Sequence, residues 1–493
     1  MRRALSIGIV AFWLILLGML VRRTWRPPAA TPGSDEPLAD AAQGPAESDE
    51  WMGVFHGAEK VGYTHQAMSA TGEGFSFSEV TLLRLTLMDA PQTVRTRLHG
   101  HVGKDYSLQD VDFELSSGVA NLSAHAVADA GQLRLTLHTA HDTSEQVLPL
   151  PERVYLPSSL RASVRGGTLA PGKRLDALIF DPTTLSNDHM QLTVVGREAV
   201  PQTAPTVEAW RVEEQFRSLK TTAWVDAAGV VLREEGPMGL VLVRQTPDQA
   251  VNEGWKAQSA LDVMASTAVP VERPIDDARH RVRLRVRLTG IDVNRVPSDD
   301  EQRREGATLT ITRPAIAAIG SYPLPYAGGV LAADLAPTAF LQSTHPRVQA
   351  AAHAAVGDEH DAKRAVNALN DWVYAHLRKV PTVSIPNAIQ VLDMGEGDCN
   401  EHAVLFAALA RAVGVPARIV AGAVYLDGAF YYHAWCEVWL SRWVSVDPTF
   451  HQFPADATHI KFIVGGPDEQ LGMMEVVGRL GVEVLDDDDG HAG

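Results

Sequence analysis

At 493 residues, with 45% hydrophobic and 21% charged, the chain has a globular composition and a length that calls for two or three domains. Acidic residues outnumber basic ones, 60 to 43, for a formal net charge of -17, and such a surface repels phosphate backbones, so nucleic acid is excluded as a partner class. Two cysteines, Cys399 and Cys436, rule out a disulfide framework or a cysteine-rich metal site, and no HExxH, Walker or GxGxxG pattern occurs; no cofactor and no metal are called for.

After Met1-Arg2-Arg3, residues Ala4 to Val21 form an uncharged apolar run, followed by Arg22, Arg23, Trp25 and Arg26. At a rise of 1.5 Å per residue, about 20 such residues cross a hydrocarbon core. No AxA site directly follows, and no cysteine is there to take a lipid, so residues 1–23 are expected to be a single-pass transmembrane anchor. Arginines flank both ends and leave the orientation open; sparse cysteine fits an exported body, and the expectation is an extracytoplasmic (periplasmic) one. Residues 24–50, rich in Pro, Ala, Gly, Ser and acids, are expected to be a disordered linker.

From Trp51 the hydrophobic period is mostly two. Leu83, Leu85 and Leu87 alternate with Arg84 and Thr86; Leu133, Leu135 and Leu137 alternate with Arg134 and Thr136. That is the pattern of half-buried antiparallel strands, and turn residues recur at Thr71–Gly74, Gly166-Gly167 and Asp226–Gly229. Residues 51–265 are therefore expected to be a β-rich sandwich or open barrel, either a spacer or a module for an envelope protein partner. A β-rich bridging region, 276–339, follows. In it Arg281, Arg283, Arg285 and Arg287 alternate with Val282, Leu284, Val286 and Leu288, which is a strand with one solvated basic face.

Beyond Pro346 the period becomes helical. Ala365, Leu369, Trp372, Val373 and Leu377 form one stripe within 361–378. Asp398 is placed as N-cap of a second helix that starts at Cys399 and ends at Gly414, with Ala403, Phe406, Leu409, Ala410 and Val413 on its stripe. His402 on that helix is expected at the surface. Strands are expected at 417–425, 429–440 and 443–447, and residues 471–493, ending in four aspartates, as an acidic tail.

A cysteine at a helix start gains thiolate character from unpaired N–H groups and the helix dipole, and Cys399 follows the Gly395-Glu396-Gly397-Asp398 turn. On strand 429–440, alternation puts His433, Trp435, Glu437 and Trp439 on one face and Cys436 on the other, as a packed thiol. Whether Asp447 reaches His433 depends on register. A two-residue turn would pair Cys436 with Asp447 and send the acid to the wrong face. A three-residue loop, Leu440 to Arg442, pairs Trp435 with Asp447 and sets the carboxylate diagonally beside His433. Cys399 is then nucleophile, His433 base and acid, and Asp447 the imidazole's orienter. The Cys399 N–H is one oxyanion donor, and Asn387 or Gln390 is the candidate second. Trp435 and Glu437 are candidate substrate-groove residues, or else strand packing and a partner for Arg418. His451 and His459 form a weak candidate metal pair.

Gly397-Asp398-Cys399-Asn400-Glu401-His402-Ala403, the run Leu409 to Arg418, His433-Ala434-Trp435-x-Glu437-Val438 and Trp443-Val444-x-Val446-Asp447-Pro448-Thr449 together resemble the bacterial transglutaminase-like superfamily. The resemblance covers about 340–465. It implies a papain-like α+β core, a transglutaminase-like domain at 340–470, and a Cys-His-Asp triad at Cys399, His433 and Asp447. The run Asp456 to Ile460 resembles a segment that closes the family's fold. The chain is thus expected to be a membrane-anchored thiol hydrolase or acyltransferase acting on peptide or side-chain amides through a thioester, with hydrolysis preferred. The alternative is a non-catalytic envelope binding or assembly factor that keeps the fold.

Overall fold

A computed structural model describes residues 47–485, apart from the short stretches 88–89, 118–119, 139–142, 166–168, 202–205, 218, 253–260, 263–266 and 381–385. The expected anchor, most of the linker and the terminal aspartates lie outside the described residues. Among those described, no helix is long and apolar enough to cross a membrane. The chain divides into two compact units, the first ending at Asp262 and the second beginning at Val263.

The first unit is one large sheet. Strand Glu47–His56 lies in its middle, antiparallel to Glu59–Ala70 on one side and Leu240–Gln245 on the other. From there an up-and-down meander runs out to Thr143–Pro149, while the other arm ends at Val154–Tyr155. The two ends do not pair. Among the described residues, hydrogen bonding therefore makes one continuous sheet with two unpaired ends. Alternation builds it as expected: Leu83, Leu85, Leu133, Leu135 and Leu137 are buried while Arg84 and Arg134 are exposed. Residues 47–50, read as the end of a linker, instead pair with 66–69 as ladder, because Trp51 and Met52 extend the same strand into the core.

The second unit joins segments that the sequence separates. Strands β1 (Arg283–Thr289), β2 (Gln302–Glu305), β3 (Thr308–Thr312) and β8 (Gly481–Val484) make a sheet in the order β2-β3-β1-β8. Residues 481–484 are thus a strand and not part of a solvated tail, held by pairing Val286 with Val484 and Leu288 with Val482. Three of the four arginines behave as a wet face, Arg283, Arg285 and Arg287 being exposed and Arg287 paired with Glu483 at 2.7 Å; Arg281 is half-buried and Val282 exposed, because the strand begins only at Arg283.

A second sheet holds β4 (Ala417–Leu426), β5 (Ala429–Trp439), β6 (Trp443–Val446) and β7 (His459–Val464), in the order β6-β5-β4-β7. Helices α1 (Pro346–Val356), α2 (Ala362–His376), α3 (Ala388–Met394) and α4 (Cys399–Ala412) complete the domain. Helix α4 packs on β4 and β5 with one side and on α1, α2 and α3 with the other. Every residue from Cys399 to Ala410 is consequently buried. Gly414 ends it at φ +83, where a β-carbon would strain the backbone.

Candidate active site

Helix α4 begins where its capping residues dictate. The Asp398 carboxylate accepts from the Asn400 N–H at 2.8 Å, and the Glu401 carboxylate accepts from the Asp398 N–H at 2.9 Å. This reciprocal box fixes the helix start. It also needs Gly397, since a β-carbon there would lie 2.3 Å from the Glu401 side chain. Cys399 is the first helical residue, and its N–H has no acceptor among the described residues.

Register settles the acid. Strands β5 and β6 pair Cys436 with Val446 and Glu437 with Ser445, the register of the three-residue loop Leu440–Arg442. Asp447 follows β6 and its Oδ2 accepts from His433 Nε2 at 2.7 Å. Its Oδ1 accepts from the Thr449 and Phe450 N–H groups at 2.7 and 3.0 Å, so a local turn clamps the carboxylate. His433 Nδ1 is buried and has no protein partner. The Cys399 sulfur meets the backbone N–H of Ala434, the residue after His433.

Burial governs the protonation states. Cys399, His433 and Asp447 are all 0% exposed. Burial disfavours the Asp447 carboxylate, but His433 and His459 outweigh it and hold the acid well below its usual range. Burial lowers His433 against the pull of Asp447. Burial, then Asp398, push the Cys399 thiol well above its usual value, with the Ala434 N–H acting against them. The closed resting state is therefore neutral thiol beside neutral imidazole. This corrects the expectation of a stored thiolate, because complete burial and the capping carboxylates offset the helix dipole. Iodoacetamide should accordingly modify Cys399 slowly in the native protein at pH 7, no faster than Cys436, and both rapidly in denaturant. Mass spectrometry of the two cysteine peptides checks this; fast native modification of Cys399 alone would refute the closed state.

Other candidates take different places. Asn387 and Gln390 form the capping box of α3, Asn387 Oδ1 accepting from the Gln390 N–H at 3.0 Å and Gln390 Oε1 from the Asn387 N–H at 3.4 Å. Asn387 Nδ2 stays buried and unpartnered. Trp435 is not an open groove wall: it is 1% exposed, lies across Gly422 and packs edge-on against His459 at 5.1 Å. Glu437 is equally buried, bound to Arg418 at 2.6 Å and to Lys461. Cys436 is the expected packed thiol, its S–H donating to Ala403 O at 3.2 Å. His402 is a correction. It is fully buried, bonds Asp398 O through Nδ1 at 2.5 Å, and is lowered to about 4 by burial.

Two residues escaped sequence reasoning. Phe450 stacks on His433 at 4.9 Å, and His459 Nε2 donates to Asp447 Oδ2 at 3.0 Å. The weak metal pair of His451 and His459 does not form, since His451 is exposed and bonded to Asp371. The signal for His459 was its place in the run Asp456 to Ile460. His433, Asp447 and His459 also form a cluster with metal-ligand chemistry, but the two rings donate directly to the carboxylate at hydrogen-bond distance.

Residues 349–448 match the transglutaminase-like superfamily, and this segment is a transglutaminase-like domain. A protein-glutamine gamma-glutamyltransferase of Pseudomonas aeruginosa is 34% identical over 100 residues. That match covers 17% of this chain and 15% of the relative. Among solved structures, a candidate cysteine protease from Cytophaga hutchinsonii aligns with 43% of this chain and 88% of its own, at 16% identity and a TM-score of 0.31. A β-barrel-like protein from Brucella abortus aligns with 40% of this chain and 95% of its own, at 11% identity and a TM-score of 0.32. Likenesses this weak carry nothing about chemistry.

Proposed function

We propose that the chain is a thiol enzyme acting on peptide or side-chain amides through Cys399, His433 and Asp447. One observation carries the reading: Asp447 anchors His433 through Nε2 and leaves Nδ1 buried and unpartnered, while the Cys399 sulfur meets the N–H of Ala434, the next residue along the strand. His433 Nδ1 takes the Cys399 proton as Sγ attacks the carbonyl. The S–C bond forms, the C–N bond breaks, and the amine or ammonia leaves with that proton. Water, or an acceptor amine, then attacks the thioester, gives a proton to His433, and the proton returns to sulfur as the C–S bond breaks. The Cys399 N–H and Asn387 Nδ2 are the oxyanion donors. The transferase likeness supports a glutamine side-chain amide as donor, with water the default acceptor. Residues 1–23 tether the body to a membrane on the periplasmic side, which protease treatment of spheroplasts reads directly.

The test is ammonia release from a blocked glutaminyl-glycine dipeptide and from a mixed peptide pool, with and without a primary amine. Cys399→Ala should cost about 10^3-fold or more, and an acid-quenched wild-type sample should carry an acyl adduct on Cys399. The non-catalytic reading draws on the full burial of Cys399 and His433. It would prevail if Cys399→Ala kept the cellular role intact.

A further inference from the structure

Of the buried histidines among the described residues, His459 has both ring nitrogens engaged. Nε2 donates to Asp447 Oδ2 at 3.0 Å, and Nδ1 lies 3.0 Å from Asp456 O and 3.3 Å from Asp456 Oδ1. Asp456 is itself fixed: Oδ1 accepts from the Thr458 N–H at 2.8 Å and Oδ2 from Gln452 Nε2 at 2.9 Å, and Arg279 Nη1 lies 3.0 Å from Oδ2 as an ion pair. Arg279 then lies over Phe450 at 4.8 Å, and Phe450 stacks on His433. The chain of contacts closes on the proposed base.

We propose that His459 is a positioning residue for the triad, holding the same Asp447 oxygen that serves His433 and thereby fixing the carboxylate's rotation and setting the proton affinity of His433. The proposal rests on the reading of Cys399, His433 and Asp447 given above. Two N–H groups on one oxygen, and two backbone N–H groups on the other, leave Asp447 a single orientation. His459 also brings charge. Burial disfavours its imidazolium, but Asp456 and Asp447 outweigh burial and raise it to about 9, so it is protonated at neutral pH. Its ring centroid lies 5.9 Å from that of His433, and a positive charge there opposes protonation of His433. The other ionisable groups around it are Arg279 beyond Asp456, and Glu301, Lys461 and Arg313, which line the small cavity it shares with Trp435. Lys461 is committed to Glu437 and Asp299, and burial, then Glu437, raise Glu301 to about 7, so His459 is the cation joined directly to Asp447.

Ring-nitrogen NMR of histidine-labelled full-length protein, with signals assigned by substitution, tests this without a substrate. His459 should carry protons on both nitrogens at pH 7 and lose one only near pH 9. In His459→Gln, which can still donate to Asp447 but has no charge, the His433 midpoint should rise by about one pH unit. The acid limb of ammonia release should move upward with it, while activity at the optimum largely survives; His459→Ala should lose both. A neutral His459 ring at pH 7, or a His433 midpoint unmoved in His459→Gln, would overturn the proposal. NMR shifts as expected with no Cys399-dependent ammonia release would instead sink the catalytic reading and leave the His459 bridge standing.

Discussion

Asp447→Asn should abolish nearly all ammonia release, by roughly 10^3- to 10^4-fold, an effect on the scale of triad-acid removal in other hydrolases, and should destabilise the domain as well. The carboxylate is 0% exposed and accepts four hydrogen bonds, from His433, His459 and the N–H groups of Thr449 and Phe450. An amide replaces one acceptor oxygen with a donor. Placed toward the histidines, its NH2 confronts two ring N–H groups on the same atom. Flipped, it confronts the turn. In the first placement His433 loses the acceptor that orients its ring, in the second the Thr449 and Phe450 N–H groups lose theirs, and in both the imidazolium of His459 loses half of its compensation. Breaking a buried pair in this manner costs about 3–5 kcal/mol. The pH dependence has a definite sign. Asp447 is held well below its usual value, so its contribution is present above the unfolded value and is lost as pH falls below about 4. His459, raised to about 9, contributes stability that is full below its unfolded value of about 6.5 and is lost as pH rises through 9. Thermal melts should therefore show the wild type losing stability at both ends and Asp447→Asn flattened at both. Activity retained within tenfold, at wild-type stability, would remove Asp447 from the machinery.

How much of this was legible beforehand depended on whether the deciding contact was local. The β5–β6 register could be narrowed to two options, and the choice followed from a single geometric requirement, that Asp447 share a face with His433. Helix α4 was visible as a capped, striped segment. Its stripe of Ala403, Phe406, Leu409 and Ala410 implied a wet opposite face, however, and there is none, because α1, α2 and α3 cover the side away from the sheet. His402 and the capping carboxylates were drawn inside by that burial, which is also why the Cys399 thiol is raised rather than lowered. His459 was hidden for a different reason. Twelve residues separate it from Asp447, and only the return of β7 beside β4 brings the two together. The tail strand β8 was missed likewise, since its partner β1 lies almost two hundred residues upstream and the short run Gly481–Val484 carries no period long enough to read.

Glu437→Ala should be the most damaging change outside the triad, and its effect should be on stability and not on substrate binding. Glu437 is 1% exposed on β5, with one oxygen on Arg418 at 2.6 Å and the other on Lys461. Lys461 is 3% exposed and shared with Asp299 on the turn before β2, whose neighbour Gln302 also accepts the Lys461 N–H at 2.8 Å. The cluster therefore joins the central sheet to the β1–β3 sheet. Truncating Glu437 leaves Lys461 buried with half its counter-charge and Arg418 with the face of Trp443, 3.8 Å away, and the charge of Asp334. Removing one partner from a buried pair costs about 3–5 kcal/mol, on the order of 10 °C in melting temperature for a unit of this size. The exposed Arg287–Glu483 pair sets the contrast: its charges are nearly half solvated or more, and Glu483→Ala should cost less than about 1 kcal/mol. A Glu437→Gln variant keeps an acceptor for Lys461 and should fall between the two. KM for the dipeptide, measured on Glu437→Ala well below its melting point, should match wild type because the carboxylate faces lysine and arginine inside the fold. A several-fold rise in KM at unchanged stability would instead place Glu437 in the substrate groove, and would require this face of β5 to open during turnover.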